Sequence, residues 1–300
     1  MTFLGSGDKI MITIKRLSQC TLEDAVVAWN KGFEGYYFDM TTTVDFFTRR
    51  LILEGLSPTL SVIAYDEERP VGIILNGIRL INGKKVSWNG GTGVDPEYRR
   101  KGVGKKLIDA VLAIYEEEGV EVATLEAVKE NAKAISLYEK AGYKIVDELV
   151  HLQHTGELSK DAFSSDNNRY TYKKGIPIDA LQAPFYKALV PWQTQWNNAR
   201  DGESILALDE SGNAVGYAIY KRLFNEEGTL QSIILFQCEA KPSQLMKEDI
   251  VRNLLCMVFK PTSLQVARTA ANISMSNNIL RDLLEKEGFN VKAEQVFMIK

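Results

Sequence analysis

The sequence predicts an α/β protein with a mixed sheet, built as two tandem copies of one fold. Its 300 residues are enough for roughly two domains. In the first half the apolar runs follow the order β-α-α-β-β-β-α-β-α-β, whereas a doubly wound sheet would alternate strand and helix regularly. The second half repeats this order weakly, since Leu284-Glu285-Lys286-Glu287-Gly288-Phe289 follows the pattern of Tyr138-Glu139-Lys140-Ala141-Gly142-Tyr143.

Local signals place the elements of the first half in order. Alternating isoleucines predict a strand over 10–16, after a disordered lead over 1–9. Thr21, with Asp24 three residues later, begins a first helix, and Gly55 ends a second. Asn82-Gly83 is typical of a hairpin turn. The remaining predicted elements are strands at 60–65, 71–80 and 86–94, a helix at 103–118, a strand at 120–128, a helix at 131–141 and a closing strand at 144–152.

Composition narrows the class of protein. Apolar residues make up 45% and charged residues 25%, which is ordinary for a globular protein, and the net charge of −3 argues against nucleic acid as a partner. Three widely spaced cysteines form neither a disulfide framework nor a zinc pattern, which fits a cytoplasmic protein without a metal. No apolar run approaches the ~18 residues of a membrane span, and no signal-peptide pattern opens the sequence.

A basic, glycine-containing turn stands out against this acidic background. The strand over 86–94 contains Gly90, Gly91 and Gly93, and glycine inside a strand often marks a bulge or a close backbone approach. This strand leads through the turn into a helix that starts near Val103. A turn between a strand and a helix presents unpaired backbone N–H groups and the positive end of the helix dipole, which suits a phosphate. No Gly-Lys-Ser/Thr follows, so the Walker pattern of nucleotide triphosphatases is absent.

Two motifs in this region resemble those of the GNAT superfamily of acetyltransferases. Arg99-x-x-Gly102-x-Gly104 resembles its coenzyme A loop, and Asn131-x-x-Ala134-x-x-Leu137-Tyr138-Glu139-Lys140-x-Gly142-Tyr143 resembles its second motif. The resemblance implies an N-acetyltransferase that uses acetyl-CoA, with the pantetheine arm beside a splayed, glycine-rich strand. The cofactor contacts it implies are Gly93, Val94, Asp95, Arg99, Arg100, Lys101, Gly102, Val103, Gly104, Lys105, Asn131 and Tyr138.

The resemblance also implies catalytic roles. Tyr138 matches the tyrosine that lies near the coenzyme sulfur in the family, although a packing residue would look the same in the sequence. Many relatives have a glutamate on the strand before the turn, but this strand has Trp88, Asn89 and Thr92 there. Glu126 on the following strand is the candidate base, acting directly or through a water. Alternatively, Glu126 is a partly solvated charge, and the amine arrives neutral or loses its proton through a water chain.

Three further roles come from the same resemblance. A backbone N–H near Val94 is suited to stabilise the oxyanion. Asn131 either caps its helix or contacts the pantetheine. Tyr36 and Tyr37 border the groove for the amine acceptor, unless they belong to the core. The acceptor is a small amine or a protein amine that the sequence does not name, and a homodimer is left open. A regulatory or scaffold protein that binds coenzyme A without catalysis is the alternative function.

The two copies are predicted to be unequal. The assignment is an acetyl-CoA-binding domain over 1–155, a linker over 156–174 and a degenerate copy over 175–300. After its strand over 231–239 the second copy continues Ala240-Lys241-Pro242-Ser243-Gln244-Leu245, without an arginine–glycine turn, and Leu284 replaces Tyr138. Leucine cannot donate a proton, so the second copy is expected to pack on the first, to close over the acceptor or to form a dimer contact.

Overall fold

A computed structural model of the chain describes residues 11–164 and 169–300, which form two compact units. The first unit contains residues up to Leu125 together with Lys133–Tyr143 and Lys300. The second unit contains Glu126–Ala132 and Lys144–Ile299. The predicted lead over 1–9, the first residue of the predicted strand at Ile10, and positions 165–168 of the predicted linker lie outside the described residues.

The N-terminal part of the chain builds a sheet covered by helices. Strands β1 to β4 pair antiparallel in sequence order, and β5 then pairs parallel with β4. The elements are β1 (Ile12–Arg16), α1 (Leu22–Gly32), α2 (Val44–Glu54), β2 (Val62–Asp66), β3 (Arg69–Ile81), β4 (Lys84–Val94), α3 (Val103–Glu117), β5 (Val122–Val128) and α4 (Ala132–Lys140).

The predicted start and stop signals of these elements are confirmed. The hydroxyl of Thr21 accepts a hydrogen bond from the Asp24 amide at 3.0 Å, as an N-cap does. Gly55 ends α2 in the left-handed conformation, with φ at +67°. Asn82 and Gly83 both have positive φ, as the two central residues of a type I′ hairpin require.

The C-terminal part of the chain builds a run of seven paired strands. Its strand order is β12-β6-β11-β10-β9-β8-β7, with β10 and β11 parallel and β6 antiparallel to both of its neighbours. The elements are β6 (Lys144–Gly156), β7 (Thr171–Gly175), β8 (Glu203–Leu208), β9 (Ala214–Phe224), β10 (Leu230–Ala240), α5 (Lys247–Val258), β11 (Val266–Ser274), α6 (Asn278–Lys286) and β12 (Asn290–Ile299).

This arrangement differs from the sequence prediction in two places. Strand β6, predicted to close the first copy, belongs to the second compact unit and continues to Gly156. Within the predicted linker, Leu158, Ala162 and Phe163 are buried in the core of the second unit, and Thr171–Gly175 is β7. The alternation of apolar residues in β6 predicts a strand but does not show which strands it pairs with. In the predicted linker, the apolar residues that enter the core are surrounded by polar residues, so the sequence did not reveal them as core residues. The domain assignment itself stays a prediction.

The two units share details of strand geometry that a repeat of one fold explains. Gly90 is the extra residue of a β-bulge in β4, and Phe236 is the extra residue of a bulge at the same position in β10. One residue earlier, at Asn89 and at Leu235, the parallel pairing with the next strand ends. These shared features confirm the predicted fold class of two tandem copies.

Each unit has its own core between helices and sheet. In the first, Leu107 and Val111 of α3 and Trp29 of α1 are at most 2% exposed. In the second, Leu254 and Phe259 are fully buried. Among the described residues, no helix is long and apolar enough to cross a membrane.

Candidate functional site

The turn between β4 and α3 is fixed by a buried carboxylate. Asp95 is 2% exposed, and its amide donates to the carbonyl of Val71 at 2.9 Å. Its Oδ1 accepts from the Glu97 amide at 2.9 Å, and its Oδ2 pairs with Arg69 at 2.8 Å. The side chain of Asp95 therefore braces the turn, and its cofactor contact stays a prediction.

The last residues of the turn leave the helix start accessible. Arg100 and Gly102 have φ of +65° and +85°, and Gly102 is the N-cap of α3 without a side-chain cap. A Cβ placed on Gly102 would meet no atom within 4 Å, so the space in front of the helix is open. The first amides of α3 have no intrahelical acceptor, so this end can receive an anion.

Gly104 has a different role in the same turn. A Cβ on this residue would lie 3.2 Å from Cδ2 of Leu137 and 3.8 Å from Cγ2 of Val94. The missing side chain thus lets α3 begin close to both α4 and the end of β4. Gly102 therefore keeps the start of α3 open to an anion, and Gly104 allows α3 to pack closely against α4 and β4.

Exposed cations surround the open helix start. Nζ of Lys101 lies 5.3 Å from the centroid of the Tyr98 ring, and Lys105 pairs with Asp109 at 2.6 Å. Arg100 is exposed and makes no hydrogen bond or ion pair with any residue that the structure describes. These cations give the turn the positive surface that a phosphate requires.

Arg99 connects the turn to α1 and β4. Its Nε donates to the carbonyl of Val94 at 2.9 Å, and its Nη2 donates to the carbonyls of Gly32 and Glu34, each at 3.1 Å. The guanidinium thus holds three backbone segments of the site together. A direct contact of Arg99 with a cofactor stays a prediction.

We expect Arg99→Ala to lower the free energy of unfolding by about 1–2 kcal/mol, because three charge-assisted hydrogen bonds at a solvent-accessible position are lost. Arg100→Ala is the matched control, because it removes the same charge from the neighbouring residue without breaking such hydrogen bonds. We expect it to change the free energy of unfolding by no more than about 0.5 kcal/mol. Urea unfolding of the two variants measures this difference. Equal destabilisation would contradict the bracing role.

The glycines of β4 allow α1 to lie directly on the strand. A Cβ on Gly91 would lie 2.7 Å from the Trp29 ring, and one on Gly93 would lie 3.1 Å from Cα of Gly32. The sequence predicted that glycines here mark a bulge or a close backbone approach, and both are confirmed.

Asn89 and Thr92 give this part of β4 a polar lining. Oδ1 of Asn89 accepts from the Gly91 amide at 3.1 Å, and Nδ2 of Asn89 donates to Oγ1 of Thr92 at 2.9 Å. Beyond Asn89 the parallel pairing with β5 has ended, so Thr92 lies on the part of β4 past the bulge. Sequence reasoning did not select either residue. The position of Thr92 between Gly91 and Gly93, just before the turn, was the sequence signal that could have indicated a functional role.

Tyr138 lies beside this lining. It is 6% exposed, and burial raises the pKa of its phenol to about 12, with a smaller contribution from Tyr36, while the Thr92 hydroxyl opposes the shift. The ring of Tyr143 stands edge-on to that of Tyr138, 6.1 Å away. Tyr138 therefore packs in the first unit and also brings its hydroxyl to the polar part of β4.

The raised pKa leads to a prediction for pH dependence. With an ordinary pKa of 10 raised to about 12, the phenol stays protonated as a proton donor, so we expect no loss of kcat from this group below pH ~10. Its contribution to stability is present below pH 10 and is lost as the pH rises towards about 12. A pH profile of kcat tests this, and a decline near pH 8 that disappears in Tyr138→Phe would contradict it.

The aromatic residues after α1, Tyr36, Tyr37 and Phe38, differ in how deeply they are buried. Tyr36 is half-buried and close enough to Tyr138 to affect its pKa, whereas Tyr37 is 50% exposed. The Tyr36 and Tyr37 rings stand edge-on at 5.2 Å. The segment is held in place because Nε1 of Trp29 donates to the Met40 carbonyl at 2.8 Å. Tyr36 thus joins the site of the first unit, and the acceptor roles of both tyrosines stay predictions.

Glu126 and Asn131 belong to the second compact unit, whereas Tyr138 and the turn belong to the first. The half-buried Glu126 accepts a hydrogen bond through Oε1 from the Trp192 amide at 3.1 Å. Asn131 directly precedes α4, and its amide donates to the Val128 carbonyl at 2.9 Å. Glu126 therefore anchors the Trp192 segment, and its role as a base stays a prediction, as does the cofactor contact of Asn131.

Comparison with known proteins identifies the first part of the chain. Residues 22–143 match the model of the Acetyltransferase (GNAT) family. The match covers about two fifths of the chain, and acetyltransferases of this family use acetyl-CoA and amine acceptors.

Curated relatives are similar over a short stretch. A mycothiol acetyltransferase from Propionibacterium freudenreichii is 41% identical over 54 residues, which is 18% of this chain and 17% of the relative. An Escherichia coli [ribosomal protein bS18]-alanine N-acetyltransferase is 42% identical over 50 residues, which is 17% of this chain and 34% of the relative. The matches thus span about a sixth and about a third of these relatives.

Solved structures resemble nearly the whole chain. A tandem GNAT protein from the clavulanic acid biosynthesis pathway has a TM-score of 0.61 at 11% identity, covering 97% of this chain and 98% of its own. A GCN5-related N-acetyltransferase from Sphaerobacter thermophilus has a TM-score of 0.61 at 13% identity, with 97% and 95% covered. At these identities the likeness shows the fold alone, which is that of tandem GNAT proteins.

Proposed function

We propose that the protein is an N-acetyltransferase whose first unit moves the acetyl group of acetyl-CoA to a primary amine by direct attack. The observation that supports this best is the meeting of three features at the end of β4. These are the open helix start at Gly102, the polar lining at Thr92, and the protonated phenol of Tyr138 beside it. The reaction needs the protein to bind the phosphate groups of the cofactor and to donate a proton to the departing sulfur, and these features fit the two tasks.

The residues of the turn fit the phosphate groups of coenzyme A. The open space at Gly102 admits an anion to the first amides of α3, and Arg100, Lys101 and Lys105 supply positive charge. The pantetheine arm then follows β4 beyond its bulge, where Val94 offers a backbone N–H for the carbonyl oxygen. Acetyl-CoA supplies the activated thioester when it is bound.

Transfer requires one bond to form, one to break and two protons to move. The amine nitrogen forms a C–N bond to the carbonyl carbon as the C–S bond breaks. Tyr138 donates its proton to the departing sulfur and is restored from solvent. The amine proton leaves through water. Positioned proton transfer of this kind contributes roughly 10²–10⁴-fold to a rate, and holding the amine beside the thioester contributes further.

The acceptor reaches the site along the aromatic segment after α1, where Tyr36 and Tyr37 provide ring surfaces. The two curated relatives are a mycothiol acetyltransferase and a [ribosomal protein bS18]-alanine N-acetyltransferase, so one is named for a small molecule and the other for an alanine of a protein. A small amine and a protein amine are therefore both candidate acceptors here. The copy over 175–300 does not bind coenzyme A, because it lacks the glycine turn.

The alternative is a protein that binds coenzyme A as a regulator or scaffold without catalysis. The absence of a carboxylate at Trp88, Asn89 and Thr92 of β4, together with the hydrogen bond that Glu126 accepts from Trp192, favours this alternative. Release of the coenzyme thiol in the presence of a panel of primary amines separates the two. Amine-dependent release supports the enzyme, while tight acetyl-CoA binding with no release above the rate in buffer would leave the regulator.

A further inference from the structure

The second unit contains a cavity of about 150 Å³ at the place where β10 and β11 separate. The parallel pairing of these strands ends at Leu235 and Ala270, and β10 continues past its bulge to line one side. The cavity has room for on the order of ten water-sized positions. It therefore fits a small organic molecule, and every residue that lines it belongs to the second unit.

The floor of the cavity carries a carboxylate. Glu239 of β10 has a side chain that is 19% exposed, and its Oε1 accepts from Nζ of Lys187 at 2.8 Å and from Nδ2 of Asn277 at 3.1 Å. Within the described part of the chain both of these bonds fall on Oε1, so Oε2 is available to a ligand. Lys187 shows in this structure that the carboxylate receives a primary ammonium group.

A second acceptor lines the same cavity without a partner. Asn272 is 6% exposed, and its Oδ1 makes no hydrogen bond with any described residue. Burial lowers the pKa of His151, and the nearby Asn272 side chain opposes that shift, yet Oδ1 reaches no donor with hydrogen-bond geometry. A buried, unpartnered acceptor costs about 1–3 kcal/mol, which a donor from a ligand would recover.

The remaining walls combine apolar side chains with the polar side chains of Asp147, Thr194, Gln237, Ser274 and Ser276. Leu189, Phe236 and Leu280 line the cavity together with the two acceptors. A ligand that satisfies this lining has several N–H donors at one end and an apolar body at the other. A primary ammonium has three donors and a positive charge, which matches one carboxylate oxygen and one amide oxygen.

We infer that the cavity of the second unit binds a small primary amine with an apolar body, its ammonium on Glu239 and Asn272 in competition with Lys187. This site is separate from the proposed acetyl transfer and does not depend on it. The loop Lys241–Met246 that precedes α5 contains no glycine, so the phosphate turn of the first unit has no counterpart beside this cavity.

Calorimetric titration of the full chain with phenethylamine, without acetyl-CoA, tests the inference. Phenethyl alcohol is the matched control, because it replaces the ammonium by a hydroxyl on the same skeleton. We expect the amine but not the alcohol to bind. Glu239→Gln should weaken amine binding by about tenfold or more, and Lys187→Met, which removes the competing ammonium, should strengthen it.

The opposite signs of the two variants distinguish ligand binding from a structural ion pair, since losing either partner of a merely structural pair would not improve amine binding. Binding that is lost in Tyr36→Ala but kept in Glu239→Gln would place the amine in the first unit and overturn the inference. Absence of binding at millimolar amine in both the native protein and Lys187→Met would overturn it as well.

Discussion

Tyr138→Phe is expected to lower kcat by roughly 10²–10⁴-fold while leaving the affinity for acetyl-CoA nearly unchanged. The phenol is buried next to Thr92 and stays protonated because burial raises its pKa to about 12. The substitution removes only the hydroxyl, so the ring still packs in the first unit. Steady-state rates together with a separate binding titration distinguish a lost proton donor from a lost binding contact.

Tyr143→Phe is the matched control for this prediction. Tyr143 is 2% exposed and belongs to the same motif, and burial raises the pKa of its phenol too. Loss of its hydroxyl should cost about 1 kcal/mol of stability without a large change in kcat. If both variants retain the native rate, Tyr138 is a packing residue and the donor lies elsewhere.

Gly102→Val is expected to weaken acetyl-CoA binding by at least about tenfold. The N-cap residue has φ of +85°, where a β-branched side chain is strained, by roughly 1–2 kcal/mol or more. Its Cβ would also enter the open space in front of α3, where the phosphate groups are proposed to sit. Both effects act on the cofactor, so a direct titration of acetyl-CoA is the measurement.

Gly119→Val supplies the control at the other end of α3. Gly119 has φ of +66° and a Cβ there would also meet nothing within 4 Å, so the backbone strain is similar. We expect both variants to lose stability and only Gly102→Val to lose acetyl-CoA. Equal losses of affinity would mean that general destabilisation explains the effect and that the turn does not hold the cofactor.

The elements near the proposed site could be predicted from the sequence because each carries a local signal. The helix cap at Thr21, the helix end at Gly55 and the hairpin at Asn82-Gly83 are each determined by a few consecutive residues. The glycines of β4 likewise predicted its bulge and the close approach of another backbone segment, which is α1. Such signals come from backbone geometry, which short stretches of sequence control directly.

Features that depend on distant residues escaped the sequence. The alternation of β6 predicted a strand but not its pairing with β11 and β12, because every strand presents the same backbone groups to any partner. The meeting of Thr92 with Tyr138 escaped for the same reason, since 46 positions of chain separate them. Similarly, nothing local to Glu126 indicated that the Trp192 amide would donate to it.

Calorimetric titration of the full chain with acetyl-CoA tests the central claim most directly, since the claim is that one unit binds the cofactor and the other does not. One site per chain, weakened at least about tenfold in Gly102→Val and retained in Gly119→Val, is the predicted result. Two sites would contradict the proposed difference between the copies, and no binding would contradict the proposed acetyl transfer altogether.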